Sequence, residues 1–178
     1  LINLDKLDGM LDDETILVSL MAANGEVGTI QPIKEAAKII HDHEALFHTD
    51  ATAANGQIPL DVREMDLDLM TLSSNDLYGP KGVGALYLRE GLRVTPRMIG
   101  SGQERGLRSG SENIPGIVGM GIAAKWAEEE MAEESSKMTK LRDRLIEGIL
   151  TQVPESSLNG HSTKRLPNNA NIRFSYIE

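Results

Sequence analysis

Apolar and polar positions switch repeatedly between two periods in the first half of this chain. Ile16 to Ala22 is an apolar run of strand length. Pro32 opens a helix over Ile33 to His43, with Ile33, Ala36, Ala37, Ile39 and Ile40 at helical spacing. Leu46-Phe47-His48-Thr49, Leu69-Met70-Thr71-Leu72 and Gly84 to Leu88 read as short strands, and Asp61 to Asp66 as one helical turn or a loop. Strands alternating with helical pattern predict an α/β fold, a mostly parallel sheet with helices on its faces. Gly100 to Gly110 is a glycine-rich loop. The period beyond it is helical. Pro115 marks a start; Ile117, Met120, Gly121 and Ala124 form one apolar stripe, and Met138, Leu141, Leu145 and Ile149 a second. Glu128 to Glu134 between them is charged and solvated, and Pro154 ends the helical run. After a turn at Pro167 to Asn171, Ile172, Phe174 and Tyr176 alternate as one face of a strand.

Composition narrows the function classes. A chain of 178 residues can bury one sizeable core. The net charge of −9, from 18 basic and 27 acidic residues, comes with no basic patch, so nucleic acid is not expected as a partner. The absence of cysteine excludes disulfides, thiolate zinc sites and a cysteine nucleophile within this chain, and it suits a cytoplasmic location. No apolar run approaches the ~20 residues that span a bilayer, so no membrane association is expected. Leu1-Ile2-Asn3 leads into acidic sequence and not into a signal peptide. With no initiator methionine, and with Tyr176-Ile177-Glu178 closing on a strand-like run, the chain reads as a fragment.

In a parallel α/β sheet, ligands sit at the carboxyl ends of the strands. That directs attention to Asn24-Gly25-Glu26, Asp50-Ala51-Thr52 and Ser73 to Asp76. Asp50 has two readings. A buried carboxylate needs a cationic or proton-donating partner, such as the pyridine nitrogen of a pyridoxal cofactor, or it caps the following helix. Ser73, Ser74 and Asn75 carry two hydroxyls and an amide that suit a phosphate cradle, or simply a turn. Arg105 and Arg108 lie in a loop suited to an anion, or to plain solvent exposure. The histidines are poor metal ligands. His41 and His43 are two apart on a helix, and His48 and Asp50 have no third ligand at fitting spacing. A metal hydrolase built on Asp50 and Asp76 is a rival reading.

Several ordered motifs carry a family resemblance. Met21 to Gly28 is similar to an Asn-Asn-Glu-Ile/Val-Gly motif, and His48-Thr49-Asp50-Ala51-Thr52 to His-Val-Asp-Ala-Thr. Ser73 to Gly82 is similar to Ser-Gly-His-Lys, an aromatic residue and Gly-Pro-Lys-Gly. Gly102 to Ser111 is similar to Gly-His-Glu-Arg-Gly-Met-Arg-Ser-Gly-Thr, and Leu166 to Ile172 to the strand leading into a small domain. With these motifs the chain resembles the cysteine desulfurases, a branch of the class V aminotransferase-like, fold-type I pyridoxal 5′-phosphate (PLP) enzymes.

The resemblance implies a PLP-transferase large domain over 1–134, a connecting helix and the start of a smaller α+β domain over 135–178, and a homodimer. It also implies roles. Asp50 pairs with the pyridine nitrogen, Ser73 binds the phosphate, and Asn75 stands where a phosphate-binding His is usual. Asn24 belongs to the ring-contacting motif, and Ser111 matches a hydroxyl that reaches the phosphate from the other subunit. The departures cluster. Asp76 occupies the position of the Schiff-base lysine, Ala53 that of a Gln and Gly25 that of the second Asn, so any PLP is held without a covalent link. The family's nucleophilic Cys lies outside the chain, so no catalytic residue is assigned within it. Two expectations follow. One is a cysteine desulfurase-like protein that converts L-cysteine to L-alanine plus an enzyme-bound persulfide for iron–sulfur cluster assembly, with this chain itself inactive. The other is a non-catalytic homologue acting as a dimeric partner of an iron–sulfur scaffold protein.

Overall fold

The computed structural model describes residues 1–176. The elements are α1 (Leu4–Asp8), β1 (Leu17–Met21), α2 (Ile33–Asp42), β2 (Leu46–Asp50), β3 (Leu69–Ser73), β4 (Gly84–Leu88), α3 (Ile114–Gln152), β5 (Ser156–Leu158) and β6 (Ile172–Phe174). Short 3₁₀ turns span Asn75–Leu77 and Glu104–Gly106. The main sheet has the order β1-β2-β3-β4. Its first three strands are parallel, and β4 returns antiparallel along β3. The expected mostly parallel sheet with helices is therefore present. β5 and β6 form a separate antiparallel pair.

Strand alternation sorts the sheet into two unlike faces. One presents Phe47, Thr49 and Met70 to the core that α2 covers with Ile33, Ala36, Ala37 and Ile40. Phe47 and Ile40 are fully buried. The period-3.6 pattern of α2 makes this packing possible, because its four buried residues fall on one stripe. The other face carries Leu17, Met21, Leu46 and Leu86, all exposed, and between them a polar ladder. Near the sheet's rim, His41 hydrogen-bonds Asp66 at 3.1 Å and Asp68 at 2.9 Å. Arg89 pairs with the same two carboxylates. The Arg89 hydrogen bond holds the Asp66 carboxyl below its ordinary pKa.

Three features depart from the sequence pattern. α1 and β5 were not expected. α1 is too short to display a period and is marked only by the Asn3 cap, which accepts from the Lys6 amide at 2.9 Å. The helical region after Pro115 is one helix of 39 residues, about 58 Å long, and it runs unbroken through Glu128 to Glu134. Glutamate is a good helix former, so a charged stretch interrupts the apolar stripe without interrupting the helix. α3 also packs through small residues and not through its large apolar ones. A Cβ on Gly116 would lie 2.4 Å from Val83, and one on Gly119 2.5 Å from Pro80. Ala123 and Arg142 are buried, whereas Ile117, Leu141 and Leu145 are exposed. No helix among the described residues is long and apolar enough to cross a membrane.

Candidate functional site

β1, β2 and β3 end side by side, because Met21 aligns with Asp50 and Asp50 with Thr71. This register brings the segments after them, carrying Asn24, Asp50 and Ser73, to one edge of the sheet. Asp50 is half-buried. Its Oδ1 accepts from the Thr52 amide at 3.0 Å and the Thr52 hydroxyl at 2.8 Å. Its Oδ2 accepts no hydrogen bond among the described residues, so one carboxylate oxygen stays available to an external donor. Turns and no helix follow Asp50, so its Oδ1 closes a turn at the strand end and does not cap a helix.

Two residues before Asp50, on the same face, His48 completes a ladder across three strands. Its Nδ1 faces the Ser19 hydroxyl and its Nε2 the Thr71 hydroxyl, each at 2.7 Å. Burial lowers the His48 pKa, and the charge of Asp50 opposes that shift without cancelling it. Burial therefore disfavours the charged ring, which lies between two hydroxyls that can each donate or accept.

Asn24 is committed differently from a free ligand. Its Oδ1 accepts from the Glu26 and Val27 amides, both at 2.9 Å, closing a turn at the end of β1. Its Nδ2 faces the Met21 sulfur at 3.3 Å. The next residue, Gly25, would carry a Cβ 3.5 Å from the Ala53 Cβ. Gly25 and Ala53 are therefore neighbours in space, and the two shortened side chains vacate one spot.

Beyond β3 the chain tightens. Ser73 is half-buried, and its carbonyl accepts from Asn55 Nδ2 at 2.8 Å. Ser74 is fully buried and its hydroxyl has no partner. Asn75 and Asp76 sit exposed on the 3₁₀ turn, and Tyr78 closes that turn in the left-handed region at φ 59°. Asp76 also lies at the mouth of an apolar groove along α3, lined in part by Leu77, Pro80, Ile122 and Trp126. Lys81 is exposed past the Gly79-Pro80 turn. Ser111 is exposed in the loop ahead of α3, and among the described residues it makes no hydrogen bond to the strand-end group. Arg105 and Arg108 are exposed on the same long loop, with Arg105 at φ 58°. Among the described residues no cluster of three or more His, Asp or Glu side chains could hold a metal ion, which leaves the hydrolase reading without a site.

The class-V aminotransferase family profile matches residues 1–178, and the chain belongs to that family, whose members depend on PLP. It is 55% identical over 177 residues to a protein named cysteine desulfurase IscS 1 of Archaeoglobus fulgidus, covering 99% of this chain and 46% of that one. It is 51% identical over 174 residues to cysteine desulfurase IscS of Methanosarcina thermophila, covering 98% and 43%. A solved NifS-like protein superposes with a TM-score of 0.94 at 40% identity, covering 99% of this chain and 48% of that one. The NifS-like protein of Rickettsia africae gives 0.92 at 32%, covering 99% and 50%. The chain thus spans about half the length of the relatives it matches.

PLP can be tested against the residues present. The free Oδ2 of Asp50 suits a protonated ring nitrogen, and Ser73 and Asn75 offer neutral hydrogen-bonding groups at the strand end for a phosphate. These residues fit the two polar ends of the cofactor. Asp76 does not fit its covalent attachment, because a carboxylate has no nitrogen with which to form an imine.

Proposed function

We propose that this chain is part of a cysteine desulfurase-like protein, acting on L-cysteine to give L-alanine and an enzyme-bound persulfide for iron–sulfur cluster assembly. The observation that carries the reading is the 55% identity, over 99% of the chain, to a protein so named. PLP, bound without a covalent link, would supply an electron sink at the amino-acid Cα. Asp50 would hold the ring nitrogen protonated through its free oxygen while Thr52 fixes the other. Ser73 and Asn75 would take the phosphate, with Ser111 of a second subunit in a homodimer reaching it from the other side. Asn24 would keep its turn closed beside the ring. The large domain over 1–134 would carry this site, and 135–178 would lead into a smaller domain. By this reading the chain alone would turn nothing over, with aspartate and not lysine at position 76 and no cysteine. Cytoplasmic residence and a scaffold-protein partner belong to the same proposal.

One observation favours a second reading. Asp76 is an exposed carboxylate on a formed turn, not a buried and damaged position. A homologue that has given up covalent catalysis would keep the fold and serve as a dimeric, non-catalytic partner in cluster assembly.

The test is a PLP titration of the natural protein and of Asp76→Lys, with borohydride trapping and mass mapping. Trapping by the variant alone, at the introduced lysine, with PLP bound but untrapped in the natural protein, is the expected outcome; release of sulfide from L-cysteine by the natural protein then favours the desulfurase, and no release favours the second reading. Trapping by the natural protein on another lysine overturns the non-covalent binding. If neither protein binds PLP, the desulfurase reading fails and the second reading stands.

A further inference from the structure

The turn carrying Asn24 is not held by β1 alone. A segment more than a hundred residues away in sequence is laid across it. Arg165 forms an isolated bridge with Thr29. The Leu166 amide donates to the Gly28 carbonyl at 2.8 Å, and the Ile30 amide to the Lys164 carbonyl at 2.9 Å. Asn169 Nδ2 donates to the carbonyls of Gly25 at 2.8 Å and Glu26 at 3.0 Å, and Asn171 Nδ2 to Glu26 at 2.9 Å. Nearly every carbonyl of the turn therefore receives a donor from this distant strap.

Arg165 is the centre of it and is 3% exposed. Its guanidinium donates to the carbonyls of Val27 at 2.9 Å and His161 at 3.1 Å, to Asn169 Oδ1 at 2.8 Å, and to the Asn159 carbonyl. None of these acceptors is a carboxylate. Burial lowers the Arg165 pKa, and the neighbouring Arg142 cation lowers it further. A buried cation without a counter-ion is costly, and a flat fork of five donors is the feature that repays it here. Lysine presents its donors from one point and cannot span carbonyls on both sides of the seam. The backbone makes room for the strap at two positive-φ glycines. A Cβ on Gly28 (φ +73°) would lie 2.4 Å from Asn169 Oδ1, and one on Gly160 (φ +79°) 2.3 Å from the Val27 carbonyl.

We infer that Arg165 and Asn169 are positioning residues. They set the Asn24–Gly28 turn at the carboxyl end of β1, and so tie the geometry of the proposed site to the segment that joins β5 and β6. The assignment to a site rests on the function proposed above; the positioning of the turn does not.

The experiment compares Arg165→Lys and Asn169→Ala with the natural full chain by amide hydrogen exchange and by PLP titration. Asn169→Ala leaves the buried cation in place, so it reports on the seam even if Arg165→Lys unfolds. Exchange at the Glu26, Val27 and Gly28 amides is expected to quicken about tenfold, the effect of one or two lost hydrogen bonds. Exchange at Phe47 and Thr49 in β2 is expected to be unchanged, and PLP affinity to fall by about tenfold. Unchanged exchange over 26–28, or an equal rise in β2, overturns the inference. If the natural protein binds no PLP, the functional reading fails, and the exchange contrast still decides the positioning claim.

Discussion

The two faces of the main sheet are made by the same four strands and are built for different work. The face under α2 buries Phe47, Thr49 and Met70 against an apolar helix stripe. The opposite face sets Ser19, His48 and Thr71 in a hydrogen-bonded row, with Asp50 at its carboxyl end and exposed Leu17, Met21 and Leu86 around it. Alternation at period two lets one strand carry both. Phe47 supplies stability, while its neighbour His48 and, two residues on, Asp50 supply polar groups. Chemistry can therefore vary on one face without loosening the core on the other.

That contrast can be broken most directly at Phe47. Phe47→Ala is expected to cost about 3–5 kcal/mol, the range for an aromatic side chain deleted from a sealed core. Leu86→Ala, an apolar truncation on the exposed face, is expected to stay within about 0.5 kcal/mol. Chemical denaturation of both variants checks this, and comparable losses would mean that the second face is as sealed as the first. A smaller effect of opposite sign is expected at Ser74. Its hydroxyl is fully buried without a partner. Ser74→Ala removes that unmet group and should raise stability by about 1 kcal/mol, read as a higher denaturant midpoint at unchanged slope.

The gentlest probe is pH. Burial lowers the His48 pKa from its ordinary 6.5, so the unfolded chain binds the proton more readily than the folded one. The contribution of the neutral ring is whole above pH 6.5 and is lost as pH falls through the folded value. Stability followed from pH 7.5 to 5 should decline, and His48→Gln should flatten that part of the profile. An identical slope in the variant would assign the decline to other groups.

Much of this was legible in the residues. Phe47 to Thr49 and Met70 announced buried strands, and Ile33 to Ile40 a one-sided helix, because each pattern matches the period of its backbone. The carboxyl-end rule singles out Asn24, Asp50 and Ser73 from sequence, and the register of β1, β2 and β3 brings them to one edge. Other features had no local signal. α3 packs through Gly116, Gly119, Ala123 and Arg142, and small residues and arginine do not stand out in an apolar stripe. The closeness of Gly25 and Ala53 is a fact of the fold alone. Arg165 has no local signal, because an arginine beside Leu-Pro-Asn-Asn has the pattern of a turn. The nearest clue was the run of asparagines at 168, 169 and 171, more amide donors than a turn requires.

The strap across the Asn24 turn also bears on how the chain acquires its shape. Residues 25–29 meet partners at 161–171, at separations above 130 residues. Contacts that distant close slowly, because a long loop must be ordered before they contribute. α2 and its neighbouring strands can collapse while the chain is still emerging from the ribosome, but the turn at the end of β1 must wait until Asn171 is out. The rim of the proposed site is therefore among the last parts to set, together with Leu166, the last residue to join the core beneath it.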